Sequence, residues 1–264
     1  MPALRKRPVD MKRLLNKVVV VTGAASGLGR ETALAMAREG AHLAIVDIDD
    51  AGLGETRELV QRSGARVVAL NGDVTQLRTH TSLCDMAVSA FGGVHGLCNV
   101  AGVLGPGTVG DATVEQFDHV MHVNCLAQLL SIRTFGPRLR ESGGAIVNVS
   151  SVGAQVGLPL MSVYCASKAA VVGMSRAVAV EFSPHVRCNV VCPGGMDTPM
   201  AQGLLASVPA NERDALLSRL TGRQLLQRFA TPKEIAQVLV FLVSDESAFM
   251  TGSVVSADGG HTAW

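Results

Sequence analysis

Short β-branched runs alternate with helix-length stretches along almost the whole chain, and no other feature restricts the possible folds as much. Runs at 18–21, 43–46 and 66–70 read as strands, separated by helical stretches at 29–38 and 50–63 and followed by one at 76–91. The rhythm continues through a strand at 96–100, a long helix from about 113 to 139, a strand at 145–149, a helix at 162–182, and strands at 186–191 and 253–256. Strand, helix, strand in this order builds right-handed βαβ units on a parallel sheet. The strands are continuous apolar runs rather than alternating ones, which requires both faces of the sheet to be covered. Composition agrees: apolar residues make up 48% and glycine adds 28 positions, while charged residues reach 17% and aromatics 3%. The apolar excess points to a doubly covered sheet and to contacts between subunits.

The expected fold is therefore α/β: one doubly wound, Rossmann-like domain with about seven parallel strands and helices on both faces. No linker or composition break divides residues 12–264. Between 194 and 230 the rhythm lapses, as an insertion covering a substrate would, and Thr231-Pro232 then supply an N-cap and first position for a helix at 233–242.

Twenty-three Lys and Arg nearly cancel 22 Asp and Glu, leaving a formal charge of +1. That balance gives no field for nucleic acid or a membrane surface, so neither partner is expected. The one basic cluster, Arg5, Lys6, Arg7, Lys12, Arg13 and Lys17, is not followed by a long apolar segment. Residues 1–11 read as a solvated basic tail, with a transit peptide as the alternative. The longest charge-free run, 142–167, is broken by Asn148, Ser150, Ser151 and Pro159, too polar for a bilayer span. Six cysteines show no C-x-x-C or Cys/His zinc spacing and read as core thiols in a reducing, cytoplasmic compartment. His119 and His122 stand three apart with no third ligand nearby, so no metal is expected.

Directly after the first strand comes Thr22-Gly23-Ala24-Ala25-Ser26-Gly27-Leu28-Gly29, which leads into a helix. Glycines there allow a sharp turn, close approach of a pyrophosphate and helix-on-strand packing, while the helix N-terminus offers N–H donors. Asp47 closes the second strand 18 residues beyond Gly29. An acid near that offset accepts from a ribose 2′-hydroxyl and repels a 2′-phosphate. Its neighbours in this role, Ser26 and Ile48, are uncharged, so NAD is favoured over NADP; the alternative for Asp47 is a turn or cap acid. Asp73-Val74 after the third strand and Asn99, Ala101 and Gly102 after the fourth stand where ligands of open α/β sheets gather, with the Asn99 backbone expected along the adenosine ribose.

Tyr164 and Lys168 are four apart at the start of a helix, on one face, and Tyr164 is the only tyrosine. A phenol with an ordinary pKa near 10 becomes a base at neutral pH only after a shift of about two to three units, and an adjacent ammonium acts in that direction. Ser150-Ser151 at a strand end offer hydroxyls for a substrate oxygen, and Asn124 lies in the long helix.

Taken together, T-G-x-x-x-G-x-G, Asp-Val, N-x-A-G, a helical Asn, S-S, Y-x-x-x-K and P-G occur in the order of the short-chain dehydrogenase/reductase family, which the chain resembles beyond its first dozen residues. The resemblance implies that Tyr164 is the acid/base and that Lys168 lowers its pKa and binds the nicotinamide ribose. It implies that Ser151, thirteen residues before the tyrosine, positions the reacting oxygen, and that Asn124 steadies a water linked to Lys168. Pro193, Gly194, Met196 and Thr198 resemble the segment covering the nicotinamide, and Asp258-Gly259-Gly260 a segment packed at tetramer interfaces, so a homotetramer is expected. In Asn99-Val100-Ala101-Gly102 the second residue departs from the Asn often found there.

Val103, Leu104, Leu158, Met161, Met196 and Met200, with Ser151 and Tyr164, are the expected substrate contacts and imply a mainly apolar alcohol or ketone. The function read from these residues is NAD-dependent interconversion of a secondary alcohol and a ketone. The alternatives are a 3-oxoacyl-thioester reductase and a catalytically silent nucleotide-sensing module.

Overall fold

The computed structural model describes residues 12–206 and 208–264, so the expected basic tail at 1–11 lies outside the described residues. Seven strands, β1 (Val18–Thr22), β2 (His42–Asp47), β3 (Val67–Asn71), β4 (Gly96–Asn99), β5 (Ala145–Val149), β6 (Arg187–Pro193) and β7 (Val254–Ala257), form one sheet in the order β3-β2-β1-β4-β5-β6-β7. Every pairing is parallel. The order reverses between β1 and β4, which opens a crevice at the carboxyl edge.

Side-chain alternation along β1 builds two cores. Val19 and Val21 pack with Met36 of α1 (Gly27–Arg38) and Leu239 of α9 (Pro232–Val243). Val20 packs on the other face with Leu83 of α3 (Leu77–Phe91), Phe135 of α5 (Ala127–Ser142) and Val178 of α6 (Ser162–Phe182). Each fully buried valine contributes about 1.5–3 kcal/mol, so this central strand is heavily specified. Helix α2 (Asp50–Arg62) covers β2 and β3, its N-terminus capped by Asp49 accepting from the Gly52 N–H. At α9 the expected cap is complete: Thr231 and Glu234 bond reciprocally and Pro232 occupies the first turn. By length and apolarity α6 passes for a membrane span, yet Val171, Ser175 and Val178 along it are buried in the domain.

Two regions differ from the sequence reading. The single helix expected over 113–139 is instead α4 (Val114–Met121), a π-helical segment (His122–Leu126) and α5, in which the Ala127 N–H donates to the His122 carbonyl. One extra residue per turn cannot be read from apolar spacing, and such bulges concentrate at functional sites. The insertion at 194–230 carries two short helices, α7 (Pro199–Ala206) and α8 (Arg213–Thr221).

Candidate active site

The crevice is a cavity of about 610 Å³, within the range of small-molecule sites. At one end lies the glycine turn. A Cβ on Gly29 would stand 1.8 Å from the Gly23 carbonyl oxygen, so no other residue lets α1 start against that turn. Ser26, the N-cap of α1, makes no side-chain cap bond, which leaves the first amides facing the cavity for an anion. Thr22 Oγ1 accepts from the Val100 and Ala101 N–H groups at 3.0 and 3.2 Å and ties β1 to the end of β4.

Asp47 closes this end. Its carboxylate accepts from the Ala25 N–H at 2.8 Å and the Asp49 N–H at 3.0 Å, so it is both turn acid and cavity wall. Arg30 of α1 is committed to the Ala25 carbonyl and, in α2, to the Gly52 carbonyl, Thr56 Oγ1 and Glu55. Among the described lining residues Lys168 is the one Lys or Arg. Burial pushes the Asp73 carboxyl up, but the Thr75 amide and hydroxyl, both at 2.8 Å, hold it below the ordinary carboxylate range.

The other end is built from buried side chains. Lys168 is 4% exposed, and its Nζ donates to the Val149 carbonyl at 3.2 Å and lies 5.7 Å from the centre of the Tyr164 ring. The Tyr164 phenol is hydrogen-bonded to Ser151, whose Oγ accepts from the Gly153 N–H at 3.1 Å. Asn124 accepts from the Val103 N–H at 2.8 Å and donates to the Val103 carbonyl and to Ser167 Oγ, both at 3.0 Å; Ser167 in turn donates to the Tyr164 carbonyl. Gly102 fits between them because a Cβ there would stand 3.1 Å from Asn124 Oδ1 and 3.3 Å from Lys168 Nζ. Asn124, Ser151, Tyr164 and Lys168 are thus brought together as expected.

Burial sets the direction of two shifts here. Burial raises the Tyr164 phenol above its ordinary value, only partly offset by the Ser151 hydrogen bond, and burial lowers Lys168 to about 8. In the protein alone, desolvation is the largest influence on both groups. The lowering expected of Lys168 draws also on the positive nicotinamide of an oxidised cofactor.

Not every expected position lines the cavity itself. Of the expected cofactor residues, all but Asn99, Pro193 and Gly194 line the cavity. The Asn99 side chain is turned into the core, where its Nδ2 donates to Asn148 Oδ1 at 2.8 Å, and only its backbone is left for the expected role at the end of β4. Pro193 ends β6, and the Gly194 N–H donates to the Ala257 carbonyl at 3.2 Å, so both brace the C-terminal turn. Of the expected substrate residues, Val103, Tyr164, Met196 and Met200 line the cavity; Leu104, Leu158, Met161 and Ser151 do not. Leu158 packs toward Gly153, and Met161 bridges to Gly107, so this loop stands beside the cavity.

Ser150, one of the two strand-end hydroxyls, lines the cavity; lining residues not anticipated include Val149 at the end of β5, and His119, His122 and Val123. The strand-end rule applied to β5 would have found Val149. The histidines were noticed only as possible metal ligands; among the described residues no group of three or more His, Cys, Asp or Glu could hold a metal ion.

The geometry has counterparts. Residues 23–262 match a family model described as enoyl-(acyl carrier protein) reductase. The 2-(S)-hydroxypropyl-CoM dehydrogenase 3 of Xanthobacter autotrophicus is 37% identical over 254 residues, covering 95% of this chain and 98% of that one. The cyclopentanol dehydrogenase of a Comamonas species is 36% identical, covering 96% and 100%. The crystal structure of a short-chain dehydrogenase from Mycobacterium paratuberculosis bound to NAD superposes with a TM-score of 0.87 at 32% identity, covering 96% and 100%. With the Ser151–Tyr164–Lys168 arrangement at the carboxyl edge of a seven-stranded parallel sheet, these matches place the chain in the short-chain dehydrogenase/reductase family of nicotinamide-dependent oxidoreductases.

Proposed function

We propose that the protein interconverts a secondary alcohol and a ketone on a mainly apolar substrate, with NAD as the cofactor. The observation that carries this reading is the Tyr164 phenol, bonded to Ser151 and beside the buried Lys168, at the base of a cavity whose far end is closed by Asp47. That far end fits a dinucleotide: Gly29 permits the tight turn, α1 offers uncapped amides, and Asp47 adds the acid suited to a ribose hydroxyl. The two dehydrogenase relatives carry alcohol-type names, which supports the substrate class.

The nicotinamide, when bound, supplies the hydride acceptor or donor. The chain supplies the rest. Ser151 orients the reacting oxygen, Tyr164 takes the hydroxyl proton in oxidation and returns it in reduction, and Lys168 brings a positive charge to the base of the cavity. Val103, Met196 and Met200 exclude water from the reacting groups. Reduction of an acyl-thioester ketone is the second reading; the description of the matched family model shares with it the acyl-thioester substrate, not the ketone. Asp47 and the lack of Arg in the lining weigh against it, because many acyl carriers and NADP are anionic. The complete Ser151, Tyr164 and Lys168 set weighs against a silent nucleotide sensor.

The quaternary proposal is a homotetramer, supported by large apolar side chains at the surface such as Val180, Phe249 and Trp264. A cytoplasmic location is proposed on the six free thiols. A screen of secondary alcohols with NAD, followed at the absorbance of NADH, tests the reaction; no turnover with any alcohol, or equal use of NADP, overturns the reading. Light scattering that reports a monomer-sized particle overturns the assembly.

A further inference from the structure

Behind the catalytic lysine, the inner face of the cavity-wall helix is polar where the core calls for apolar groups. Asn124, Gln128 and Ser131 recur at spacings of four and three and form one stripe along the π-helical segment and α5. Their exposures are 0%, 2% and 0%. Asn124 is fully engaged with Val103 and Ser167. Gln128 is not. Its Nε2 donates at 3.4 Å to the Val149 carbonyl, the same oxygen that accepts from Lys168 Nζ at 3.2 Å. Its Oε1 has no partner among the described residues, and neither has Ser131 Oγ, three residues along the same face. A buried polar atom left without a partner is costly, and native interiors meet such atoms with a water making two to four hydrogen bonds.

We propose that Gln128 is a positioning residue for Lys168: its amide holds the carbonyl that anchors the ammonium, and its free oxygen, with the Ser131 hydroxyl, holds a buried water behind that carbonyl. The water softens the desolvation of the ammonium and fixes the Gln128 amide toward Val149. This goes beyond the role of Asn124, and it rests on the functional reading only in taking Lys168 as the cation beside the proton-carrying phenol. The other titratable groups near Lys168 are Tyr164 on its own helix, Cys125 from the π-helical segment and Cys192 from β6. Burial raises all three, so each is neutral near pH 7.

The test reads the lysine directly and needs no substrate. The chain has five lysines, so lysine labelled with carbon-13 at the ε position gives a resolvable set of NMR signals in the full-length protein. In the unmutated protein one signal titrates well below the other four, and Lys168→Met identifies it. Gln128→Glu puts a carboxylate beside the anchor carbonyl and raises that midpoint by about one pH unit or more. Ser131→Ala, a small change that the fold tolerates, and Gln128→Met both lose the water and lower it by about half a pH unit. A midpoint that stays within about 0.2 pH unit in all three variants overturns the proposal. So does a high-resolution crystal structure in which Gln128 Oε1 and Ser131 Oγ bond to protein groups and share no water. Shifted midpoints in a protein that oxidises no alcohol leave this inference standing and remove the proposed function instead.

Discussion

The two ends of the cavity are made of different material. At the glycine-turn end the working groups are backbone amides and two carboxylates, Asp47 and Asp73, each held in place by backbone N–H groups. At the lysine end they are buried side chains whose proton affinities have moved: Tyr164 upward, Lys168 down to about 8. Recognition of a ligand by shape and hydrogen bonds works with groups that remain in their ordinary charge states. Proton transfer needs groups close to changing theirs, and burial is what brings them there. One cavity therefore holds a rigid, solvated half for binding and a desolvated half for chemistry.

The sharpest way to break that contrast is to remove the ionisable oxygen at the lysine end alone. Tyr164→Phe keeps the ring, and turnover should fall by about 10² to 10⁴, the usual contribution of general acid/base catalysis. NAD affinity, measured by calorimetry, should stay within about threefold, since recognition belongs to the other end. Near-normal turnover would mean that another base acts; a large loss of affinity would mean that the two ends are not separable.

The next effect is on stability. Lys168 is 4% exposed and its folded-state pKa, about 8, lies below the ordinary value of 10.5. The unfolded chain holds this proton to higher pH than the folded one, so Lys168 destabilises the fold fully below pH 8. That cost fades as pH rises from about 8 toward 10.5. Relative to Lys168→Met, the unmutated protein should gain on the order of 1–3 kcal/mol in urea unfolding between pH 7 and pH 10. A pH-independent difference would show that the ammonium is solvated and that the lysine end is not the desolvated half.

What the sequence disclosed follows the same division. The glycine turn, Asp47 and the Tyr164–Lys168 pair were legible because each function demands a particular residue type at a fixed spacing. The direction of the Asn99 side chain was not legible, because it is decided by Asn148 on the neighbouring strand, a partner 49 residues away. The break in the long helix was hidden, since a π-helical turn at His122–Leu126 leaves the apolar pattern nearly intact. The upward push on the phenol was hidden, because an adjacent cation is visible in a sequence and desolvation is not.

The smallest expected effect lies at the glycine-turn end and separates the two duties of Asp47. Its carboxylate holds the turn through the Ala25 and Asp49 amides, and its charge opposes a 2′-phosphate. Asp47→Asn retains one acceptor oxygen and removes the charge; the preference for NAD over NADP in kcat/KM should narrow about tenfold, or about 1.4 kcal/mol. Asp47→Ala removes both, so preference should narrow similarly while affinity for either cofactor drops, because the Ala25 amide loses its acceptor. In both variants the pH profile of kcat should match that of the unmutated protein, since no group at the lysine end has changed. If Asp47→Asn left cofactor preference untouched, Asp47 would be a turn acid only. Discrimination would then have to come from the solvent-facing Ile48 and Ser26, and the binding half would be selecting by shape without charge.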